Sequence, residues 1–459
     1  MAFIGDANVL AILKAWYDQQ GVENLLFRNS PTLKQIAKQK FGGKYYPLPM
    51  MYSRSGAVSG DYNKALAAIA DGPRNVEMQI TAAQMFSVFQ ITPKEYLASK
   101  EYKGAYMTVL AEKAFAANEN LRKILASCLF GTGCGELGKV TANVANAATT
   151  ANVDARAAVT LDLGTQLYFI DSNNPYSGNA ISSTANGYHT VTAVATNEDG
   201  SATITFTPAF VSNTNCATGD YVMLYGGRDD TKAPLLPTGL AGWIPTDRSN
   251  LAAPVFANFF NVNRAAYPSR LAGSVITQSA ANKKKEAVTN AVRAVRRQGG
   301  VPNAIVGNDL DLVAIMAEIQ ASQNYWQATD GSSKGTKNAA TVGFEKLKWS
   351  FSTSWLEYMY DDPYCPKGVA YVLDLDSIKF IALTETSNLD DGVSDNQPGA
   401  PETSAQSEPS TQYQFLVDDM YTTQPINTTD GPGLAVIFQL FGQFIISNPA
   451  HVAAVVFID

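Results

Sequence analysis

The chain contains 459 residues, of which 46% are hydrophobic, and it carries a formal net charge of −7 at pH 7. This length and composition allow two or three domains with a sizeable hydrophobic core. The acidic balance argues against tight, general binding to nucleic acid. No apolar run reaches the roughly 18 residues that a membrane span needs.

Cysteine and histidine are scarce and scattered, which limits the chemistry that the chain can carry. The cysteines lack metal-ligand spacing and are expected to stay reduced in a cytoplasmic setting; they are Cys128, Cys134, Cys216 and Cys365. Only His189 and His451 are present, which disfavours histidine-based catalysis and a zinc site. Carboxylate chemistry stays open. The segment Met1–Asp6 has no basic region or long apolar stretch, so no signal peptide is expected. We predict no catalytic residue, cofactor or metal ligand.

The N-terminal part of the chain predicts two helices and then a long hairpin. Residues 7–27 have an amphipathic pattern, and Pro31 suits the first turn of a second helix over Pro31–Lys40. Two extended runs follow, Lys44–Tyr52 and Val76–Ile91, with a serine- and glycine-rich stretch between them. The tip of such a hairpin would be loose. Because an isolated hairpin is marginally stable in water, this one needs a partner surface.

A long amphipathic helix is the clearest local feature of the sequence. Between Lys100 and Phe130, apolar residues recur at spacings of three and four and form one stripe. The helix would be roughly 45 Å long, so part of it is expected to face solvent or another subunit. Gly131 is a natural stop for this helix.

A glycine cluster, Gly133-x-Gly135-x-x-Gly138, matches the dinucleotide-binding fingerprint, with Asp154 and Asp162 loosely in range for a ribose. That fingerprint needs a strand before it and a helix after it, so that phosphates meet a helix N-terminus. Here a helix precedes the glycines and a linker-like stretch, residues 140–155, follows them. A helix-ending turn is the favoured interpretation, and a phosphate site is the alternative.

Residues 156–227 read as all-β. Turn signals separate short runs rich in β-branched and aromatic residues, namely Val159–Leu163, Leu167–Ile170, His189–Ala195, Ala202–Thr207 and Tyr221–Tyr225. This regular spacing predicts a small barrel or sandwich. A structural role is the simpler interpretation of such a module, and a carbohydrate-binding site is the alternative.

A basic helix is predicted over Ala280–Gln298. Its cations are Lys283, Lys284, Lys285, Arg293, Arg296 and Arg297. A run of charge on a helix is usually a solvated face, and contact with DNA is the alternative. A short strand at residues 303–306 and a helix over Leu310–Gln320, capped by Asn308-Asp309, are predicted next.

The C-terminal third alternates predicted strands with polar loops. The strands are Lys346–Phe351, Ala370–Leu375, Ile378–Leu383, Gly433–Ser447 and Val452–Ile458. Residues 327–340 are polar and residues 384–412 are acidic and of low complexity, which predicts exposed loops. The pairs Asp361-Asp362 and Asp418-Asp419 are expected to be solvated, and a divalent ion between subunits is the alternative.

The order of features over residues 25–140 resembles that of tailed-bacteriophage major capsid proteins. The features are Asn29-Ser30-Pro31, Gly42-Gly43-Lys44 with Pro47 and Pro49, the hairpin, Lys103-Gly104-Ala105-Tyr106, the long helix and Phe130-Gly131-Thr132-Gly133. Their order and spacing carry the resemblance, since no tripeptide among them is specific. The resemblance implies the α+β fold named after phage Hong Kong ninety-seven, here with a small all-β domain inserted.

The resemblance also implies a division of the chain. Its parts are an N-terminal arm (1–40), an E-loop hairpin (41–92), a P domain spine helix (93–144), an inserted β domain (145–231), an A domain (232–335) and the remaining P and A domain strands (336–459), which include the acidic loop 384–412. In this family the E-loop lies across a neighbouring subunit. The residues expected to make that contact are Lys44, Tyr45, Tyr46, Tyr52, Arg54, Asp61 and Arg74.

The function implied is assembly and not catalysis. Hexamers and pentamers of the chain would close into an icosahedral shell around phage double-stranded DNA. Expected partners are other copies of the chain, a separate scaffolding protein, portal and head-decoration proteins and non-specifically bound DNA, with no membrane. The protein would be part of the virion and would assemble in the host cytoplasm. Two alternatives from the residues stay open: a β-rich adhesin or other surface protein, and a nucleotide-dependent enzyme that uses the glycine cluster.

Overall fold

The computed structural model describes residues 30–53, 58–67, 74–91, 109–172, 176, 178, 180–181, 187–210, 216–246, 259–280, 282–320, 349–351, 354–356, 358–383, 422–427 and 434–458. The predicted helix at residues 7–27, the part of the long helix before residue 109 and the loops 327–340 and 384–412 lie outside these ranges. The helices are α1 (Pro31–Gln35), α2 (Tyr62–Ala67), α3 (Val109–Leu129), α4 (Ala155–Thr160), α5 (Leu240–Trp243), α6 (Pro268–Leu271), α7 (Lys284–Arg297) and α8 (Asp309–Gln320).

The strands fall into several separate sheets. In chain order they are β1 (Ala37–Phe41), β2 (Tyr46–Ser53), β3 (Arg74–Ile80), β4 (Ala83–Ile91), β5 (Glu136–Lys139), β6 (Thr150–Val153), β7 (Gln166–Ile170), β8 (His189–Thr196), β9 (Ala202–Thr207), β10 (Tyr221–Leu224), β11 (Ser274–Thr277), β12 (Ala304–Gly307), β13 (Trp349–Phe351), β14 (Ser354–Leu356), β15 (Tyr358–Asp361), β16 (Val369–Leu373), β17 (Ile378–Leu383), β18 (Thr422–Asn427), β19 (Leu434–Ile446) and β20 (Ala453–Val456).

The first sheet is organised around β19, which is 13 residues long. This strand pairs antiparallel with β4, with β18 and, near its C-terminal end, with β17. Strand β1 adds to the far side of β17 in parallel. The inner face of the sheet contributes Met85, Phe438, Leu440 and Phe444 to the main hydrophobic core. The chain therefore brings its N-terminal and C-terminal parts together in one sheet.

The helix predicted over Pro31–Lys40 is wrong in its second half. Helix α1 begins as expected, with a proline in its first turn and the Ser30 side chain accepting a hydrogen bond from the Leu33 N–H. The chain then becomes extended, because residues from Ala37 onward find hydrogen-bonding partners along β17. Pairing with a distant strand outweighs the modest local preference for helix in this stretch.

The predicted hairpin is present, but its second strand is divided. Strand β2 pairs antiparallel with β3, whereas β4, which continues the same extended run, belongs to the sheet of β19. The break falls at Thr81 and Ala82, which lie in neither strand. Helix α2 lies in the tip that connects β2 and β3. The sequence therefore placed the extended residues correctly and missed the change of sheet.

Helix α3 carries the predicted apolar stripe onto the core. Its buried residues include Ala114, Ala117, Leu121, Leu125 and Cys128, at the spacing of three and four that the sequence predicts. With 21 residues in the described part, it is about 31 Å long. It packs against β4 and ends just before Gly131. This helix supports both the sheet of β19 and the β module that follows.

The β module is a closed six-stranded barrel. Its antiparallel strands follow the order β5-β10-β7-β8-β9-β6. The barrel closes between β6 and the end of β5, where Val140 bridges Val153 and the Asp154 N–H donates to the Lys139 carbonyl at 2.9 Å. Its own core includes Leu137, Phe169, Ile204, Phe206 and Val222. The regular strand spacing predicted a barrel or a sandwich, and the structure has the barrel.

Three details of the β module differ from the sequence-based expectation. The stretch predicted as a strand at Val159–Leu163 is instead the end of α4 and its cap, because Asp154 accepts a hydrogen bond from the Ala157 N–H and starts a helix there. The linker-like stretch 140–155 contains β6 and the barrel closure. The barrel also begins before the predicted boundary at residue 145, since β5 precedes that residue and pairs with β10.

The third sheet has the order β11-β20-β16-β12-β15 and is covered by α7 and α8. Strand β12, helix α7 and helix α8 match the predictions for residues 280–320 closely. Helix α7 buries Ala287, Val288, Ala291, Val292 and Val295 against this sheet. Strands β15, β16 and β20 come from the C-terminal third of the chain, so this sheet also joins distant segments.

The barrel should fold as an isolated fragment only when β5 is included. A fragment of residues 134–231 should show a cooperative thermal transition, whereas residues 145–231 should not. The shorter fragment loses three buried side chains, Leu137, Val140 and Val144, each worth about 1.5–3 kcal/mol, and leaves an edge of β10 open. Differential scanning calorimetry on both fragments tests this. A cooperative transition in the shorter fragment would contradict it.

The barrel interior should make folding stability dependent on pH through His189. This side chain is buried among Phe169, Phe206 and Phe210, and its Nδ1 lies 2.6 Å from the Pro208 carbonyl oxygen. Burial lowers the pKa of His189 below its ordinary value, so the unfolded state binds more protons than the folded state. The free energy of unfolding should be fully retained above pH about 6.5 and should fall as the pH drops through the lowered folded pKa.

Replacing His189 with leucine should flatten this part of the stability profile between pH 7.5 and 5, as measured by thermal unfolding of the whole chain. The matched control is His451→Gln, because His451 is the only other histidine and lies partly exposed. Equal slopes for the wild type and the His189→Leu variant would show that another group is responsible.

Candidate functional site

The inner face of the β2–β3 hairpin packs on its own subunit. Tyr46 lies against Phe41 with ring centroids 6.1 Å apart, and Tyr52 lies against Tyr267 at the same separation. Arg270 Nη1 donates to the Tyr52 carbonyl oxygen at 3.4 Å. Two of the residues predicted to contact a neighbour, Tyr46 and Tyr52, are therefore partly used within the subunit.

The outer face and tip of the hairpin are available for a partner. Lys44, Tyr45, Asp61 and Arg74 are exposed, as predicted for contact residues, and Arg54 lies outside the described residues. The side chain of Asp61 accepts a hydrogen bond from the Asn63 N–H at 2.9 Å, so Asp61 helps to start α2. Its charge can still take part in an outside contact.

The tip also carries exposed apolar side chains, of which the sequence analysis missed Val58 and Leu66. Val58 is 93% exposed, Tyr62 is 77% exposed and Leu66 is 50% exposed. Tyr62 and Leu66 are four residues apart, so α2 places them on one face. That spacing was the available signal, but the serine- and glycine-rich surroundings hid it. An apolar face on a projecting tip is a typical feature of a protein interaction site.

The cations of the basic helix α7 differ in their exposure to solvent and in their contacts. Lys283, Arg293 and Arg297 are exposed, while Lys285 and Arg296 are half-buried. Lys284 is committed within the subunit, because its Nζ lies 2.7 Å from the Oδ1 of Asp311, whose side chain is buried. This contact disfavours Lys284 as a DNA-facing residue.

The N-terminus of α7 is also occupied from within. The Glu318 carboxylate accepts hydrogen bonds from the backbone N–H groups of Lys284 and Lys285 at 3.2 and 3.0 Å. This places a negative charge where the helix dipole favours one. The remaining outward cations form a small basic stripe and not a continuous basic surface.

The predicted solvation of the Asp361-Asp362 pair is half wrong. Asp361 is exposed, but Asp362 is fully buried and accepts hydrogen bonds from Ser30 Oγ at 2.5 Å and from Thr32 Oγ1 at 2.7 Å. Burial raises the pKa of Asp362 above its ordinary value. The residue fastens the start of α1 to the end of β15. The pair Asp418-Asp419 lies outside the described residues.

The glycine cluster is a packed helix-to-strand turn. A Cβ on Gly133 would lie 2.7 Å from the Leu236 carbonyl oxygen, and a Cβ on Gly138 would lie 2.6 Å from the Ala157 Cβ. Both Gly133 and Gly135 have positive φ, which favours glycine. The order is helix, turn and then strand β5, the reverse of a dinucleotide site, and protein atoms fill the space that phosphates would need.

Within the described part of the chain, no group of three or more histidine, cysteine or acidic residues is arranged to hold a metal ion. The helices described there include none that is long and apolar enough to cross a bilayer.

Two adjoining grooves of about 560 and 540 Å³ flank β4, one toward residues 233–236 and the other toward α3 and the barrel. Grooves and exposed apolar residues are therefore prominent surface features of the described part of the chain.

Comparison with known proteins gives a structural likeness and no sequence match. No protein-family model and no curated protein sequence matches the chain. Its structure is similar to a chain of the cyanophage A-1(L) capsid asymmetric unit, with a TM-score of 0.52, 12% identity and 96% of each chain covered. The chain thus has the fold of a phage capsid protein, and the fold predicted from the sequence is confirmed.

Weaker likenesses extend to other structures. The holo-SrpI encapsulin complex from Synechococcus elongatus PCC 7942 gives a TM-score of 0.42 at 6% identity, with 96% of this chain and 92% of that chain covered. A structure from Microbacterium phage Oxtober96 gives a TM-score of 0.41 at 9% identity, with 100% of both chains covered.

Helix α7 allows a test that separates DNA contact from stability. Replacing Arg293 and Arg297 with alanine should weaken binding to double-stranded DNA and reduce its salt dependence by about one unit of log–log slope per lost phosphate contact. The free energy of unfolding should change by no more than about 0.5 kcal/mol for each substitution, because both side chains are exposed.

The matched control is Lys284→Ala. It should leave DNA binding unchanged and destabilise the subunit by roughly 3–5 kcal/mol, because the buried Asp311 carboxylate keeps its hydrogen bond from the Gly368 N–H but loses its cationic partner. Filter binding at several salt concentrations and urea unfolding measure the two effects. Unchanged DNA binding in the double arginine variant would show that the stripe is only a solvated face.

Proposed function

We propose that this chain is a major capsid protein, whose copies assemble into the icosahedral shell that encloses the double-stranded DNA of a tailed phage. The observation that carries the proposal is the likeness to the cyanophage A-1(L) capsid chain over 96% of both chains. The role is structural and not catalytic. The protein would form part of the virion and assemble in the host cytoplasm.

Assembly as hexamers and pentamers requires contacts that repeat around a ring. In such a ring each subunit presents one surface to its neighbour on one side and a different surface on the other. The hairpin tip and the grooves beside β4 are two surfaces of this kind on one subunit. Many weak contacts of this sort, repeated over a shell, produce high overall stability.

The hairpin is suited to make one of these contacts. Its base is held on its own subunit by Tyr46, Tyr52 and Arg270, while its tip exposes Tyr62 and Leu66. Aromatic side chains offer a large contact area at low entropic cost, which suits an anchoring role. A fixed base and an apolar tip favour an arm that reaches a neighbouring subunit.

The further partners belong to the same proposal. A separate scaffolding protein, a portal and head-decoration proteins would act with the subunit, and packaged DNA would meet the shell through non-specific contacts. The net charge of −7 keeps general affinity for DNA low, which suits a subunit that should not coat DNA before packaging. The outward stripe of Lys283, Arg293 and Arg297 is the candidate for the local DNA contact.

Removing the hairpin tip should abolish assembly without unfolding the subunit. Replacing residues 54–73 with an Asn-Gly turn joins β2 directly to β3 and keeps the Met51↔Asn75 register. The circular dichroism spectrum should be nearly that of the wild type, with only the small helical signal of α2 lost, because the deleted part contains no core residue among those described. Shell or ring formation should fall at least about tenfold, because the lost contact repeats on every subunit.

Negative-stain microscopy and sedimentation of the variant beside the wild type measure this. A useful control is Leu163→Ala, which removes another exposed apolar side chain, on the barrel. A wild-type protein that forms neither rings nor shells would count against the proposed function. Normal shells from the shortened protein would count against the role of the hairpin alone.

A further inference from the structure

The sheet of β19 has three outer strands, β1, β18 and β4, and the edges of β1 and β4 differ in chemistry. Strand β1 carries exposed Lys38 and Lys40, and charged lysines are a common way to prevent unwanted pairing at a sheet edge. Strand β4 has no charge, proline or bulge along its length. Instead, Phe86 is 56% exposed and Val88 is 60% exposed. The chain therefore protects the edge at β1 with charge and leaves an apolar edge at β4.

Backbone groups of β4 also lack protein hydrogen-bonding partners at Phe86 and Val88, within the described residues. Residues of a strand alternate in the direction of their N–H and C=O groups, and the Gln84 N–H points away from β19, toward the Leu235 carbonyl oxygen at 3.3 Å. The Gln90 carbonyl likewise points away and accepts from Lys113 Nζ at 3.0 Å. Phe86 and Val88 share this direction, and within the described residues their N–H and C=O groups have no partner.

The two grooves that adjoin Phe86 have an unusual composition. One lies between β4, helix α3 and the barrel, and includes Leu121, Ile124 and Tyr225. The other is lined by residues such as Leu235 and Phe260. None of the residues that line either groove is charged, whereas 16% of the whole chain is charged. The lining combines apolar side chains with amides, including those of Gln84 and Asn120.

We propose that an extended segment of a second copy of this chain binds β4 as an additional strand, across Phe86 and Val88. Backbone pairing would satisfy the N–H and C=O groups of both residues, and alternate side chains of the incoming segment would enter the two grooves. Those side chains are uncharged, because a charge buried in either groove would lack a partner. We call residues 84–90 together with the two grooves the β4 edge surface. This inference rests on the proposed function and names one of its subunit contacts.

A second copy is the occupant that best fits the chemistry. An open apolar edge on every free subunit promotes uncontrolled aggregation unless a partner is available for each one. Another subunit meets this condition at a ratio of one to one. The edge is also bounded, by Leu235 at one end and by Lys113 at the other, so it accepts a short extended segment and not a broad sheet.

Hydrogen–deuterium exchange of the free and assembled protein tests the inference directly. In the free subunit the amides of Phe86 and Val88 should exchange rapidly, while the intervening amide of Ser87 is protected by β19. Assembly should slow exchange of these two amides by about 100-fold. A peptide containing Leu163, which is exposed on the barrel, is the internal control and should change little.

Substitutions at the same positions provide a second measurement. Phe86→Lys and Val88→Lys should each lower the yield of assembled particles at least tenfold while the thermal unfolding of the free subunit stays within a few degrees of the wild type. Leu163→Lys, the matched control, should assemble normally. Val88→Pro removes an outward N–H without breaking a bond to β19 and should act like the lysine variants.

The possible outcomes separate this inference from the proposed function. If the wild type forms no particles, the proposed function fails and the inference fails with it. If the wild type assembles but the Phe86 and Val88 amides still exchange rapidly, or if the lysine variants assemble normally, the inference is overturned and the proposed function stands. Protection that appears only after a different protein is added to assembled particles would also overturn it, because the occupant would not be a second copy.

Discussion

The long strand β19 is the element on which the rest of the fold depends. Its pairing with β4 fixes the base of the hairpin, and its pairing with β17 brings β1 into the sheet. Side-chain and loop contacts converge on the same strand: Trp243 Nε1 donates to the Phe444 carbonyl oxygen at 3.1 Å, and the Thr238 N–H donates to Gln443 Oε1 at 2.5 Å. Because so many segments share this partner, a change in its register would move side chains between the core and the solvent face throughout the sheet.

The junction between α3 and the barrel explains how a separate core can be held rigidly on the body of the subunit. Arg156, which is buried, donates through Nη2 to the carbonyl oxygens of Ser127 and Glu136, each at 3.0 Å. Lys123 on α3 also pairs with Asp162 beyond α4, at 2.5 Å. Buried polar groups are stable only when their hydrogen bonds are made, so these contacts favour one orientation of the barrel over others. The barrel therefore joins α3 through polar contacts as well as packing.

Lys284 and Asp362, whose charges suggested function from the sequence, both make contacts that hold the fold together. Lys284 neutralises Asp311, and Glu318 caps α7. Asp362 holds Ser30 and Thr32 through neutral donors. In each case the carboxylate is satisfied by groups far away in the sequence, which no local pattern reveals. The two grooves beside β4, in contrast, have no charged lining residue, which is typical of interface centres depleted of charge.

The sequence by itself determined the local structure wherever one periodicity dominated. The stripe on α3, the buried face of α7 and the regular strands of the barrel follow from burial on one face of a helix or strand. The continuous apolar runs of β16, β17 and β20 are recognisable for a related reason, because these strands are buried on both faces. The order of features over residues 25–140 was enough to indicate the capsid fold, although no short motif was specific.

Only the tertiary structure decided which extended segments pair with one another. Residues 37–41 became a strand because β17 offers hydrogen bonds to them, and residues 76–91 divided because one half faces β2 and the other faces β19. Strand β5 entered the barrel through β10, more than eighty residues away, and the open edge of β4 became visible only once every other pairing was known. The physical reason is that a strand, unlike a helix, makes its hydrogen bonds outside itself, so its partners are set by the whole fold and not by its own sequence.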